Sequence, residues 1–213
     1  MKSKRWIFWL LAAANLAALC AFVSHLPDLV PTHFNVMGEA DRWGSKWWMT
    51  PLGLLPILLL IGYEIYRKMG INLENRRYED WVIPAISLMF AGISWIFALL
   101  SSGMPPTTLF AYIPILLGAL MVCMSNIMGK IHPNRHFGLR IWWTLNDETV
   151  WRATHRAAGY WGVAGGACMI IIGLISLGRS AVLAFIGVMA GVALTILPPT
   201  FYAYKLYHKR HAK

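Results

Sequence analysis

Six apolar runs, each about 20 residues long, lie near positions 6 to 25, 49 to 68, 81 to 101, 108 to 128, 158 to 178 and 181 to 203. A chain of this size has no core that could hide six such runs from water, whereas each one matches the hydrocarbon thickness of a bilayer. In lipid every backbone N–H and C=O must find its partner within the protein, so a continuous apolar run spans as a helix. Composition agrees: 58% of the 213 residues are hydrophobic and 13% are charged, against roughly 45 to 50% and about 25% in soluble domains. The expected fold class is an all-α integral membrane protein with about six transmembrane helices.

Charge sets the orientation. With the N-terminus inside, 16 of the 19 Lys and Arg residues fall on the inner side, and only Arg42, Lys46 and Arg179 fall outside. Basic residues accumulate on short cytoplasmic loops, so both termini are expected to be cytoplasmic. The net charge of +10 follows from this topology. It forms no continuous basic face, and no direct contact with nucleic acid is expected. The basic start and first apolar run resemble a signal peptide. However, the run is about 20 residues long and lacks a small-x-small cleavage site before Pro27, so it is expected to remain as the first span.

Trp6, Trp9, Trp47, Trp48, Trp81, Trp142, Trp143 and Trp161 cluster at the expected span ends, where an indole keeps its ring in the apolar boundary and its N–H in the headgroup layer. Cys20, Cys123 and Cys168 lie singly in apolar runs and read as packing residues. Gly162 and Gly166 on the fifth span, and Gly187 and Gly191 on the sixth, have the four-residue spacing that lets helix backbones approach in lipid. The two spans are expected to form a tight hairpin. Glu64 lies near the inner end of the second span, with Arg67 and Lys68 as expected ion partners.

Two polar segments are richer than a connection requires. Between spans one and two, residues 25 to 46 are punctuated by Pro and Gly, which favours defined turns and an ordered outer cap. His25, His33 and Asp41 are weak metal candidates there, since imidazole and carboxylate are suitable ligands, but no HxH or HxxxH pair is present. Between spans four and five, residues 129 to 156 divide into a cytoplasmic loop and an interfacial helix. Thr144 with Asp147 resembles a capping box, and Asn146 is an alternative cap. On that helix Glu148, Arg152 and Arg156 form a charged stripe, while Trp151, His155 and Gly159 line a neighbouring face. The arginines interleaved with tryptophans suit anionic headgroups or an acidic partner. No HExxH motif or nucleophile signature is visible, and neither a cofactor nor an enzymatic activity is expected.

Both segments resemble the SdpI family of bacterial membrane immunity proteins. The outer one, LPDLVPTHFNVMGEADRWGSK over 26 to 46, follows the form LPxxVPxHFNxxGxxDxxxSK of a domain of unknown function that often accompanies the family. The inner one, GKIHPNRHFGLRIWWTLNDETVWRATHRAAG over 129 to 159, follows GKIxPNxxFGIRTPWTLxxxxVWxxTHRxxG. It departs at Ile141 and Trp142, where the pattern has Thr-Pro. The resemblance implies a multi-pass protein of the bacterial inner membrane that protects against a secreted peptide toxin, sometimes while holding a cytosolic repressor at the membrane. It assigns His33, Asn35, Gly38, Asp41 and Lys46 to a toxin-facing outer segment. Asn134, Gly138, Arg140, Trp143, Thr144, Trp151, Thr154, His155 and Arg156 belong to the inner segment. The expected division is 1 to 68 with the outer segment, 69 to 107, 108 to 204 as the SdpI-like region, and a basic tail over 205 to 213. A transporter is the alternative, and a membrane-embedded hydrolase the third reading.

Overall fold

The computed structural model describes residues 5–212. Lys2, Lys4 and Lys213, three of the basic residues used for orientation, lie outside the described residues. Six helices are long and apolar enough to cross a membrane, and the protein is a multi-pass, all-α membrane protein with one small β-hairpin.

Helix α1 (Trp6–Ser24) leads into β1 (Leu29–Phe34) and β2 (Ala40–Ser45), and a 3-10 turn, Lys46–Met49, enters α2 (Thr50–Lys68). Then come α3 (Arg76–Ser101), the single turn α4 (Pro106–Leu109), α5 (Tyr112–Met128), the short α6 (Trp142–Leu145), α7 (Glu148–Ser176) and α8 (Ala181–His211). Local chemistry sets several starts. The Ser45 hydroxyl accepts from the Trp47 N–H and Pro51 occupies the first turn of α2, where its missing N–H costs nothing. Asp147 caps α7 and Ser180 caps α8. These caps engage N–H groups that the apolar boundary would otherwise leave unpaired.

The outer cap is an antiparallel hairpin, with Leu29 opposite Ser45 and Phe34 opposite Ala40, and its register shifts around His33. Pro31 and the lack of apolar alternation in Ala40–Ser45 hid these strands from the sequence. Two apolar side chains seat the hairpin. Val30 packs with Leu19, Val23, Leu26, Met49 and Ala98, and Phe34 packs against Ile96, Leu100 and Leu109. Lys46 closes its base, donating from Nζ to the carbonyls of Ser24 at 3.1 Å and Leu26 at 2.9 Å, with Asp28 Oδ1 3.2 Å away.

The helices pack in two groups. Helices α1, α2 and α3 pack together, α7 lies between α5 and α8, and α3 touches α5. The α7–α8 hairpin expected from sequence is the most extensive helix pair, but its glycines divide their labour differently. Gly162 and Gly166 make their tightest approach to α5, with Gly162 only in ordinary contact with Thr195 of α8. A Cβ on Gly162 would collide with Ser125 of α5, and one on Gly166 with the Gly118 carbonyl and Val122 of the same helix. The residue facing α8 is Gly165, whose added Cβ would strike the Gly191 carbonyl and Thr195. Gly187 abuts Ile172, and Gly191 abuts Met169 and the Gly165 carbonyl. Two adjacent glycines on α7 thus serve two neighbours, because helix positions one apart point about 100° apart.

The expected Glu64 pairing with Arg67 and Lys68 is also replaced. Glu64 pairs with Arg5 at the start of α1, while Arg67 crosses to Asp80 on α3 at 2.7 Å, where Tyr63 also donates at 2.8 Å. Helix packing brings Arg5 to Glu64 and Asp80 to Arg67, so each pair forms between helices. Trp6, Trp47, Trp81, Trp142 and Trp161 stay exposed near span ends, and Leu58, Ile171, Phe185 and Leu197 between them present apolar surface outward, as a lipid-facing belt requires.

Gly166→Val should cost about 1–3 kcal/mol through overpacking against a carbonyl that cannot rotate away. Gly62→Ala, where an added Cβ meets nothing within 4 Å, should be neutral or better. Unfolding midpoints of the two variants in one detergent check this.

Candidate functional site

The two polar segments lie at opposite ends of the bundle. The ends of α2 and α8, the starts of α3 and α7, and the first turn of α1 share one end through the ion pairs Arg5–Glu64, Arg67–Asp80 and Arg210–Asp147. The β-hairpin occupies the other, against the ends of α1 and α3 and the starts of α2 and α8.

At the basic end the loop 129 to 141 is bound to α7 by two buried rings. Trp151, fully buried, donates from Nε1 to the Ile131 carbonyl at 2.9 Å. His155, also buried, stacks on it with centroids 3.9 Å apart. The Leu139 N–H donates to His155 Nε2 at 3.0 Å, so Nε2 must be unprotonated, and Nδ1–H then donates to the Trp151 carbonyl at 2.9 Å. One neutral tautomer thus satisfies both nitrogens. Gly138 makes the approach possible: its φ is +108° and a Cβ would collide with His155 Nε2, so both the backbone and the space require glycine. On the face that Trp151, His155 and Gly159 share, the two rings meet this loop and Gly159 backs onto the Ser125 carbonyl of α5.

The remaining polar side chains of the loop mostly serve its own backbone. Asn134 Oδ1 accepts from the N–H groups of His136 at 2.8 Å and Phe137 at 2.7 Å. Thr144 donates to the Leu139 carbonyl at 2.7 Å and accepts from the Ile141 N–H at 3.2 Å. The expected capping box of Thr144 with Asp147 does not form. Thr144 closes the short α6, and Asp147 itself caps α7, accepting from the N–H groups of Thr149 at 2.8 Å and Val150 at 3.1 Å. The expected interfacial helix begins at the Asp147 cap rather than at Thr144 and runs without a break into the fifth span as α7. Trp143 meets Tyr204 of α8 edge-on at 5.1 Å, and Arg210 pairs with Asp147 Oδ2 at 2.9 Å. The outward basic residues are Lys130, Arg135, Arg140, which donates to the Arg135 carbonyl at 2.8 Å, Arg156, and Arg152 paired with Glu148 at 2.6 Å. Thr154 is buried, and its hydroxyl has no partner.

Asn75 is the residue that sequence reasoning missed. Fully buried in the turn between α2 and α3, it accepts from the His132 N–H at 2.8 Å and donates to the His132 carbonyl at 3.1 Å. A lone Asn in a short polar turn carries no pattern that could announce a partner 57 positions away.

At the hairpin end, Asn35 holds the turn by accepting from the N–H groups of Met37 at 2.9 Å and Glu39 at 3.0 Å. Gly38, with φ +88°, brings the turn against Pro106 and Ala181. His33 and Asp41 pair across the strands, both exposed. His25 turns back to the Ala21 carbonyl at 2.7 Å. Among the described residues no group of three His, Cys, Asp or Glu is placed to hold a metal. Beside the hairpin lies an apolar cavity of about 480 Å³, lined by Phe34, Phe110, Ile113, Ala184, Phe185 and Val188 together with His33 and Asn35. It falls within the size range of ligand pockets, roughly 300–1,000 Å³.

Residues 130–202 match the SdpI/YfhL protein family, and residues 10–60 match a domain of unknown function (DUF1648). The two matched stretches cover much of the inner and outer segments described above. No curated protein and no solved structure matches the chain.

His155→Phe keeps a stacking ring but leaves the Leu139 N–H unpaired, a loss of about 1–3 kcal/mol. Amide exchange over 131 to 141 should accelerate while the spans stay protected. Asn75→Ala should accelerate exchange at His132 alone. At Asp147, burial pushes the carboxyl up, but the Arg210 hydrogen bond and the Val150 and Thr149 N–H groups prevail and hold it below its usual range. Its contribution is therefore present above about pH 4 and lost as pH falls through the lowered folded value. Asp147→Asn should lower the unfolding midpoint at pH 7, and the difference from wild type should shrink in stronger acid.

Proposed function

From a multi-pass membrane protein that carries the SdpI/YfhL family region behind its N-terminal domain, we propose an immunity and sensor protein of the bacterial inner membrane. It protects the cell against a secreted, membrane-active peptide and relays occupancy to a cytosolic repressor. The hairpin end faces outward, and the basic end, with both termini, faces the cytoplasm and its anionic headgroups.

The observation that supports this most is the reach of α8. Its first turns line the apolar cavity through Ala184, Phe185 and Val188. Its last turns hold the inner segment through Tyr204 on Trp143 and Arg210 on Asp147. An amphipathic peptide lays its apolar face into such a groove. A shift of this one helix would then change the setting of the inner arginines, a coupling that needs only two arrangements of α8 with different peptide affinity. Arg140 and Arg156, with the exposed Lys130 and Arg135 beside them, are the groups that would meet an acidic surface on a repressor.

A susceptible host expressing the protein should survive challenge with a panel of membrane-active peptides better than a host without it. Phe185→Ala, at the exposed mouth of the cavity, should weaken that protection severalfold with membrane insertion unchanged. Arg140→Ala should spare insertion and reduce any signalling output. Absence of protection by a correctly inserted wild-type protein would overturn the proposal in favour of transport.

A further inference from the structure

Glu79, one turn into α3, is 5% exposed, yet among the described residues no Lys, Arg or His pairs with it. Of the nearby cations, Arg5 pairs with Glu64 and Arg67 with Asp80, while Arg76, three residues earlier on α3, turns its guanidinium to the Arg67 and Ile71 carbonyls. Its Oε1 accepts from the Tyr66 hydroxyl at 3.2 Å and from the Asn72 amide. Its Oε2 is buried and has no partner among the described residues. Removing a carboxylate from water is unfavourable when no counter-charge replaces the solvent.

The same residue lines a second cavity of about 480 Å³ between α2, α3 and the inner loop. Its polar part is walled by Tyr63, Tyr66 and His136, with the two tyrosine rings stacked at 6.3 Å and His136 edge-on to Tyr66 at 5.7 Å. Its other part is aliphatic. Leu55, Leu59 and Gly62 continue the wall along α2, over a length of about 16 Å at ~1.5 Å per residue from Tyr66. The slot is therefore amphipathic along its axis, with an acid among aromatic faces at the basic end and an apolar track toward the bilayer interior.

We propose that this slot binds a hydrophobic primary amine, its ammonium on the Glu79 carboxylate and its apolar tail along Leu59 and Leu55. An ammonium supplies the donor that Oε2 lacks and the charge that the site lacks, and aromatic faces favour a cation. An anion would meet Glu79 with its own charge. An alcohol would leave the carboxylate uncompensated, and a quaternary ammonium has no N–H to donate. The occupant touches α2, α3 and His136 of the loop, so it joins the N-terminal helices to the inner segment. This site stands independently of the peptide-immunity proposal. Either a free amphiphilic amine or the headgroup of an aminophospholipid carries the required chemistry.

Dodecylamine, titrated into the purified full chain in nanodiscs of phosphatidylcholine and phosphatidylglycerol at neutral pH, should bind one to one and raise the unfolding temperature. Dodecanol should do neither. Glu79→Gln should weaken binding about tenfold or more through loss of the charge-assisted bond. Gly62→Leu should block the slot without touching the carboxylate, since an added Cβ there meets nothing within 4 Å, and leucine favours the helix. Adding phosphatidylethanolamine to the nanodiscs weakens dodecylamine binding if the aminophospholipid is the natural occupant, and leaves it unchanged if a free amine is. Equal binding of dodecanol, or wild-type affinity in Gly62→Leu or in folded Glu79→Gln, would overturn the proposal.

Discussion

The closeness of α7 to its two neighbours is the constraint on which the rest depends. In lipid there is no hydrophobic drive between helices, so contact must come from backbones that can touch. Gly166 meets the Gly118 carbonyl of α5 on one side, and Gly165 meets the Gly191 carbonyl of α8 on the other. With α8 held that near over most of its length, its last turns lie beside the start of α7. Arg210 can then reach Asp147, and Tyr204 can reach Trp143. The geometry of the inner segment is thus set by glycines buried in the bundle.

The inner loop answers a second demand. Irregular backbone at the membrane boundary has polar groups that water satisfies only in part. Ile131, Leu139, His136, Phe137 and His132 each give a backbone group to a side chain, and the partners are Trp151, His155, Asn134 and Asn75. These residues carry the resemblance in this segment or sit beside it, and their visible work is to hold a shape. What the shape presents outward is arginine: Arg140 and Arg156 are exposed, on a scaffold whose polar atoms are mostly spoken for.

Charge is distributed with the same economy. Asp80 takes Arg67 and Tyr63, Glu64 takes Arg5, and Asp147 takes Arg210. These pairs tie α1 to α2, α2 to α3 and α7 to α8 where the helices leave the apolar zone. Partly buried pairs of this kind fix which ends lie together more than they add net stability. Glu79 is the buried carboxylate that no cation pairs with among the described residues, and it lies in the seam between the N-terminal helices and the inner loop.

The amino-acid sequence by itself determined the six spans and the family resemblance, because a bilayer reads length and apolarity directly and short motifs survive as strings. It also marked Gly38, Gly138 and the α7–α8 pairing, where a single residue type answers a local need. Only the tertiary structure decided the hairpin, whose strands carry a proline and no alternation, and the partners of Gly162, Gly166, Glu64 and Asp147. It alone brought Asn75 to His132 and left Glu79 without a cation. The physical reason is reach: helix spacing specifies which side chains share a face, but which neighbour that face meets depends on packing among segments far apart in the chain.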